Sequence, residues 1–243
     1  MRLDIVAIVV SAIVLIAGFW NRNALPESID ARAAVLTEPE QSPSQARPFE
    51  VLYNSVNYRV VPKFRYVLNG LVVSYRRHDG NSRMHRRADD HLNMLDVCVV
   101  WGGNVNAELL KHFRFWNGIF TCNVKTRSAE AWRKFDITGL SNNHLVSDDP
   151  SIRRQARELR VGDQVRIEGW LSSYGAGAGG MRGTSTTRTD TGNGACETIY
   201  VARIDIIKKG GSPWRLAMWT AMLSLAISLA MYFRRPYRPY ADA

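Results

Sequence analysis

The sequence predicts a mainly β domain, a small barrel, held between two membrane-spanning helices. Three observations carry this. Both ends hold long charge-free apolar runs, the middle holds short alternating segments separated by turn residues, and one helix with clear end signals interrupts those segments.

Residues 5–20 and 216–233 contain no charged side chain, and each is close to the roughly 20 residues that cross a bilayer core. Trp20, Trp214, Trp219 and Tyr232 stand at their margins as interfacial anchors. No small-x-small cleavage site promptly follows the first run, so it reads as an uncleaved anchor and not as a signal peptide. Arg234, Arg235 and Arg238 follow the second run, and the positive-inside rule assigns them to the cytoplasm. The expected layout is an anchor over 1–21, a linker over 22–48, an extracytoplasmic domain over 49–210, a second span over 211–234 and a basic cytoplasmic tail over 235–243. In a Gram-negative bacterium this is an inner-membrane protein with both termini in the cytoplasm and a periplasmic domain. Its expected partners are the lipid bilayer and other membrane or envelope proteins.

The formal net charge of +10 over 243 residues suits an anionic partner and says nothing about fold. Cys98, Cys122 and Cys196 all lie in the middle portion. An odd count in an oxidising compartment permits one bridge and one thiol, and Cys98 with Cys122, on successive predicted strands, is the preferred pair.

Residues 25–48, rich in Pro, Ser, Glu, Gln and Ala, read as a linker with one short helix near 29–36. Residues 51–53 and 58–61 are extended, and Pro62 is expected to end the second piece at a sheet edge. Strands follow at 66–75, with a glycine in the middle, at 95–101, and at 119–124 after the turn dipeptide Asn117-Gly118. Residues 107–115 suit a helical turn, and 132–137 are ambiguous. Asp149 can cap a helix that has Pro150 at its first position, Ile152, Ala156 and Leu159 on one face and Gly162 beyond its end. Val165 and Ile167 then set an alternating phase, Gly169 keeps it without a side chain, and Trp170 falls off it. That pattern predicts a strand with a bulge or bend at Gly169, beyond which Trp170 turns onto the core. A Gly/Ser/Thr loop over 173–195 leads to a last strand over 197–207.

Three strands, a helix and two strands, with glycine bends in the first and fourth, resemble the OB-fold, a five-stranded partly open barrel. The G-D-Q-V-R-I-E-G and I-Y-V-A-R-I stretches carry the likeness, which covers residues 64–208 and is one of architecture only. The resemblance implies that ligands meet the sheet face and the loops joining strands one to two and four to five. The first of these loops carries Arg76, Arg77, Arg83, Arg86 and Arg87 with two histidines, and the second carries Arg182 and Arg188. Together these arginines are the expected grip for a polyanionic ligand. A solvated basic loop is the plainer reading of the same residues, and an extracytoplasmic location argues against nucleic acid. Residues 175–180 satisfy G-x-G-x-x-G but open no helix, so no nucleotide cofactor is expected. His78, His85 and His91 lack companions at metal-site spacing, so no metal is expected either. Residues 141–145 (S-N-N-H-L) read as a capping turn, and Asp190, Thr191 and Asn193 as local loop ties.

The function expected from these features is a membrane-anchored binding or assembly module of an envelope complex, without catalysis. The alternative is an envelope enzyme with Cys196 as nucleophile, His144 as base and Arg203 or Arg188 as the cationic ligand. It is similar to the cysteine transpeptidases of the sortase type, which join Cys, His and Arg on a small barrel. The chain departs from them, because Gly194-Ala195-Cys196 lacks the T-L-x-T-C lead-in and Arg203 follows too closely. A packed strand cysteine is the plainer reading of Cys196.

Overall fold

The computed structural model describes residues 3–78, 90–177, 180–192 and 195–234. It divides into two units, residues 25–210 and the two flanking ends. In the flanking unit, α1 (Leu3–Asn21) and α5 (Pro213–Arg234) are each long and apolar enough to cross a membrane. They approach closely at small residues: Ser11 Oγ donates to Ser224 Oγ at 2.9 Å, and a Cβ on Gly18 would lie 3.0 Å from Met218 Cβ.

The other unit is a mixed sheet with short helices. Its strands are β1 (Glu40–Pro43), β2 (Phe49–Tyr53), β3 (Val56–Arg77), β4 (Asn93–Val100), β5 (Phe113–Asn117), β6 (Cys122–Thr126), β7 (Leu140–Val146), β8 (Gln164–Ala176) and β9 (Cys196–Lys208). The helices are α2 (Ala107–Leu110), α3 (Ala129–Lys134) and α4 (Pro150–Glu158). Seven strands form one sheet, in which pairing runs β3, β4, β7, β9, β8 and then returns from β8 to β3. Within that circuit only β7 and β9 are parallel. Strand alternation gives the sheet two chemically distinct faces. Leu68, Val97, Leu145, Ile167 and Ile199, none more than 1 % exposed, belong to one apolar cluster, which α4 completes with Ile152, Ala156 and neighbouring Leu159. The helix begins as expected, with Asp149 accepting from Ser151 N and Pro150 in the first turn.

Several sequence expectations need correcting. Pro62 does not end a strand, because β3 runs through it and shifts register against β8 between Pro62 and Phe64, where a missing N–H is tolerated. Residues 141–145 are not a turn but lie within β7. The segment expected as the third strand of the barrel instead contributes to β6, which pairs only with β5 in a separate hairpin. The stretch read as a linker packs onto the sheet unit: Val35 is fully buried, β1 pairs with β3, and Gln164 bonds the backbone of Asp30 and Arg32. Trp170 does not enter the core. Leu171 does, while the Trp170 ring lies half-buried against Tyr200, with centroids 6.4 Å apart.

Gly169 does mark a bulge, since the β8–β9 register shifts between Glu168 and Gly169. The reason is contact: a Cβ there would stand 2.2 Å from the Tyr200 carbonyl oxygen. Backbone cannot yield as a flexible side chain does, so Gly169→Ala is expected to cost roughly 2–3 kcal/mol. A fall in thermal midpoint without loss of the folded circular dichroism spectrum is the measurement that checks it.

Candidate functional site

The face of the sheet turned away from the main core carries the polar chemistry. Leu95, Val97 and Val99 of β4 point into the core cluster, which leaves Asp96 and Cys98 on the opposite face. Register places His144 opposite Asp96 across β4 and β7, and Asn142 opposite Cys196 across β7 and β9. The β5–β6 hairpin roofs this face. Four ties hold it there: the expected Cys98–Cys122 disulfide, Ser74 Oγ donating to Asn117 Oδ1 at 2.7 Å, Arg76 Nη1 donating to the Gly118 carbonyl at 3.1 Å, and Asn142 Nδ2 donating to the Phe120 carbonyl at 2.9 Å. Phe120, at the hairpin tip, takes the left-handed backbone region with φ 57°, an uncommon conformation for a bulky residue.

Beneath the roof, His144 Nδ1 lies 2.5 Å from Asp96 Oδ1 and His78 Nε2 lies 2.7 Å from Asp96 Oδ2. Burial alone would push the Asp96 carboxyl up, but the hydrogen bonds from His144 and His78 hold it well below the usual carboxylate range. The reciprocal effect appears on the imidazole. Burial would lower His144, yet the bond to Asp96 and the neighbouring Cys196 raise it to about 9. With Nδ1 committed to Asp96, Nε2 is the nitrogen on the side of Asn142, whose amide nitrogen is 3.5 Å away. The same amide donates to Cys196 Sγ at 3.3 Å. Cys196 is a free, half-buried thiol.

Cys196 and His144 line one cavity of ≈ 410 Å³ together with Phe120, Tyr174, Arg182 and Thr198. A second cavity, of ≈ 460 Å³, also touches Cys196 and Phe120 and continues along Asn142, Ile137, Leu140 and Asp190. Cys196 thus stands at a junction, with open space to both sides. Glu197, its neighbour, faces the other way and is buried, and that burial raises its carboxyl to about 7.

The structure separates the other residues singled out from the sequence. Arg203 is not brought to this group. It lies seven residues along β9 from Cys196, roughly 23 Å at strand rise, and pairs with Asp205 while two-thirds exposed. Arg188 lies over the Trp101 ring at 5.2 Å. Arg77 donates to the carbonyls of Arg157 and Leu159. Arg76 holds the hairpin, and Arg182 lines the cavity beside Cys196. Arg83, Arg86, Arg87 and His85 lie outside the described residues. Among the described residues no His, Cys, Asp and Glu side chains converge as a metal site.

Asp96 and Arg182 are the components that sequence reasoning missed as parts of one site with Cys196. One signal was available for Asp96. It is the single charged residue in L-D-V-C-V-V-W, on the phase opposite the core, where only a buried partner makes a carboxylate tolerable.

The Asp96–His144 pair sets a pH dependence. His144 has a folded value above its ordinary 6.5, so its stabilising contribution is complete below pH 6.5 and is lost as pH rises through about 9. By NMR, the His144 ring is expected to titrate near 9, and Asp96→Asn is expected to bring that titration down sharply by removing the carboxylate while leaving the burial.

Compared with protein-family models, with curated proteins and with solved structures, the chain matches none of them.

Proposed function

We propose that this chain is a membrane-anchored cysteine enzyme that transfers acyl groups, with Cys196 as nucleophile, His144 as general base and acid, and Asp96 as the group that orients His144. One observation carries the reading: a thiol and an imidazole share a cavity wall, and the imidazole is fixed through Nδ1 by a buried carboxylate. Nucleophile, base and orienting group in this order form the logic of covalent acyl transfer. In its neutral form, which gains population as pH approaches about 9, His144 takes the Cys196 proton at Nε2 as the sulfur attacks a carbonyl carbon, and the same proton goes to the leaving group as the carbonyl–leaving-group bond breaks. The product of this step is a thioester on Cys196. The Asn142 amide, beside the sulfur, is a hydrogen-bond donor for the oxygen that becomes charged in between.

The likeness to sortase-type enzymes is one of chemical groups, with Arg182 and not Arg203 as the cation at the cavity. The pairing circuit, with the parallel β7–β9 contact, α4 between β7 and β8 and the bulge at Gly169, supports an OB-like barrel as the scaffold. The disulfide supports an oxidising compartment. With the two apolar helices and the arginines after the second, it favours a periplasmic domain and cytoplasmic termini. An assembly role in an envelope complex remains compatible with the two helices. A polyanion grip by the first loop is less well supported, because Arg76 and Arg77 already hold internal carbonyls.

The test is alkylation of the purified full-length protein in mild detergent by iodoacetamide, followed by peptide mapping. Cys196 is expected to be the labelled residue, Cys196→Ala to abolish labelling, and His144→Gln to slow it at least about tenfold, the lower edge of what a general base contributes. Labelling of Cys196 at the same rate in His144→Gln would remove the base from the mechanism.

A further inference from the structure

We infer that the cavity beside Cys196 is built for a substrate carrying a carboxylate close to its reacting carbonyl, with Arg182 as the residue that binds it. The inference rests on the cysteine-enzyme reading and adds the substrate class.

Arg182 is positioned as deliberately as His144. Its backbone N–H and carbonyl both bond Tyr174, at 2.7 and 3.0 Å, in an isolated bridge on the edge of β8. Its guanidinium lies over the Phe120 ring, 4.4 Å from the centroid, and the edge of that same ring meets His144 with centroids 5.8 Å apart. One aromatic side chain therefore separates the two cationic groups. Behind each stands a buried carboxylate. Asp96 holds His144, and Asp90 lies 3.1 Å from Arg182 Nη2 while accepting from Tyr174 Oη at 2.7 Å.

Exposure decides which sign the cavity presents. The side chains of Asp90 and Asp96 are 1 % and 0 % exposed, whereas that of Arg182 is 35 % exposed and lines the cavity. Both carboxylates orient cations from behind, so the surface that a ligand meets is cationic and hydroxyl-bearing, with Thr184, Ser185 and Thr198 on the same wall. A guanidinium has five N–H donors, and Asp90 stands against Nη2 alone. The remaining donors match a planar carboxylate by charge and by geometry. Among the described residues no cation lines the second cavity, and the carboxylate that lines it is Asp190. Charge therefore distinguishes the two sides of Cys196, and the carboxylate-bearing part of a substrate belongs on the Arg182 side.

Two alkylating reagents of nearly the same size test this directly. Iodoacetate and iodoacetamide each transfer a two-carbon unit to sulfur with loss of iodide, and they differ in carrying a carboxylate or a neutral amide. In the full-length protein at fixed ionic strength, the iodoacetate-to-iodoacetamide rate ratio at Cys196 is expected to exceed that of a small thiol. Arg182→Gln is expected to lower the ratio about tenfold, and Arg182→Lys to restore part of it. Succinate, used on the wild-type protein, is expected to protect Cys196 against iodoacetamide, which provides a readout if the variants fail to fold. A ratio unchanged in Arg182→Gln, or no protection by succinate, would overturn the assignment while leaving a reactive Cys196 intact. A Cys196 inert to both reagents would instead remove the cysteine-enzyme reading, and the substrate class with it.

Discussion

Asp96 is a charged carboxylate with no exposed side-chain surface, and its surroundings are what make that tolerable. Taking such a group out of water costs several kcal/mol unless good donors replace the solvent. His144 and Asn93 Nδ2 supply donors to Oδ1, and His78 Nε2 stands 2.7 Å from Oδ2. The requirement propagates outward. His144 reaches Asp96 because β4 and β7 pair in one register, and the β5–β6 hairpin covers the strand face that carries them. A buried charge, a sheet register and a bridged roof are therefore parts of one arrangement, and none of the three has its present form without the others.

The scaffold contributes rigidity of a particular kind. A strand displaced by one residue presents its opposite face, which here would exchange apolar core for the polar site. A circuit in which β3 pairs both β4 and β8 resists such displacement, because a slip at one ladder must be absorbed by every other. Close backbone approaches reinforce it. A Cβ on Gly70 would meet Val99 and the Val100 carbonyl, as one on Gly169 would meet Tyr200. The alternating faces then divide the labour along β9, where Ile199 and Val201 join the apolar core and Cys196 and Thr198 line the cavity on the other face.

Much of this was legible from the residues. The strands β4 and β9, the alternation in β8, the capped helix α4, the apolar ends, the bulge at Gly169 and the cysteine pair were all visible, because each depends on local pattern or turn chemistry. Strand β7 was not. Its S-N-N-H run looks like a turn because its polar side chains are satisfied by partners distant in sequence. Asn143 bonds Ser141 Oγ and the Val97 carbonyl, Asn142 bonds Phe120, and His144 bonds Asp96. The packing of residues 25–48 was hidden for a related reason: a few apolar side chains, Leu25, Ile29 and Val35, dock a segment whose composition is otherwise that of a linker. Cys196 and His144 stand out in the sequence as candidate chemistry and Arg182 as a ligand-binding residue, but Asp96 does not, and nothing in the sequence joins Arg182 to Cys196. Their proximity is a property of register and loop position, which single-sequence periodicity does not encode.

Cys196, His144 and Asp96 are proposed to act as one nucleophilic unit. The most direct measurement is intact-mass and peptide-mapping analysis of the full-length protein after exposure to an activated thioester acyl donor, in wild type and in Asp96→Asn. The predicted result is an acyl group on Cys196 in the wild-type protein, removed by hydroxylamine, with its formation slowed in Asp96→Asn. Absence of any acyl adduct at Cys196 in the folded wild-type protein, or formation at the same rate in Asp96→Asn, would contradict it.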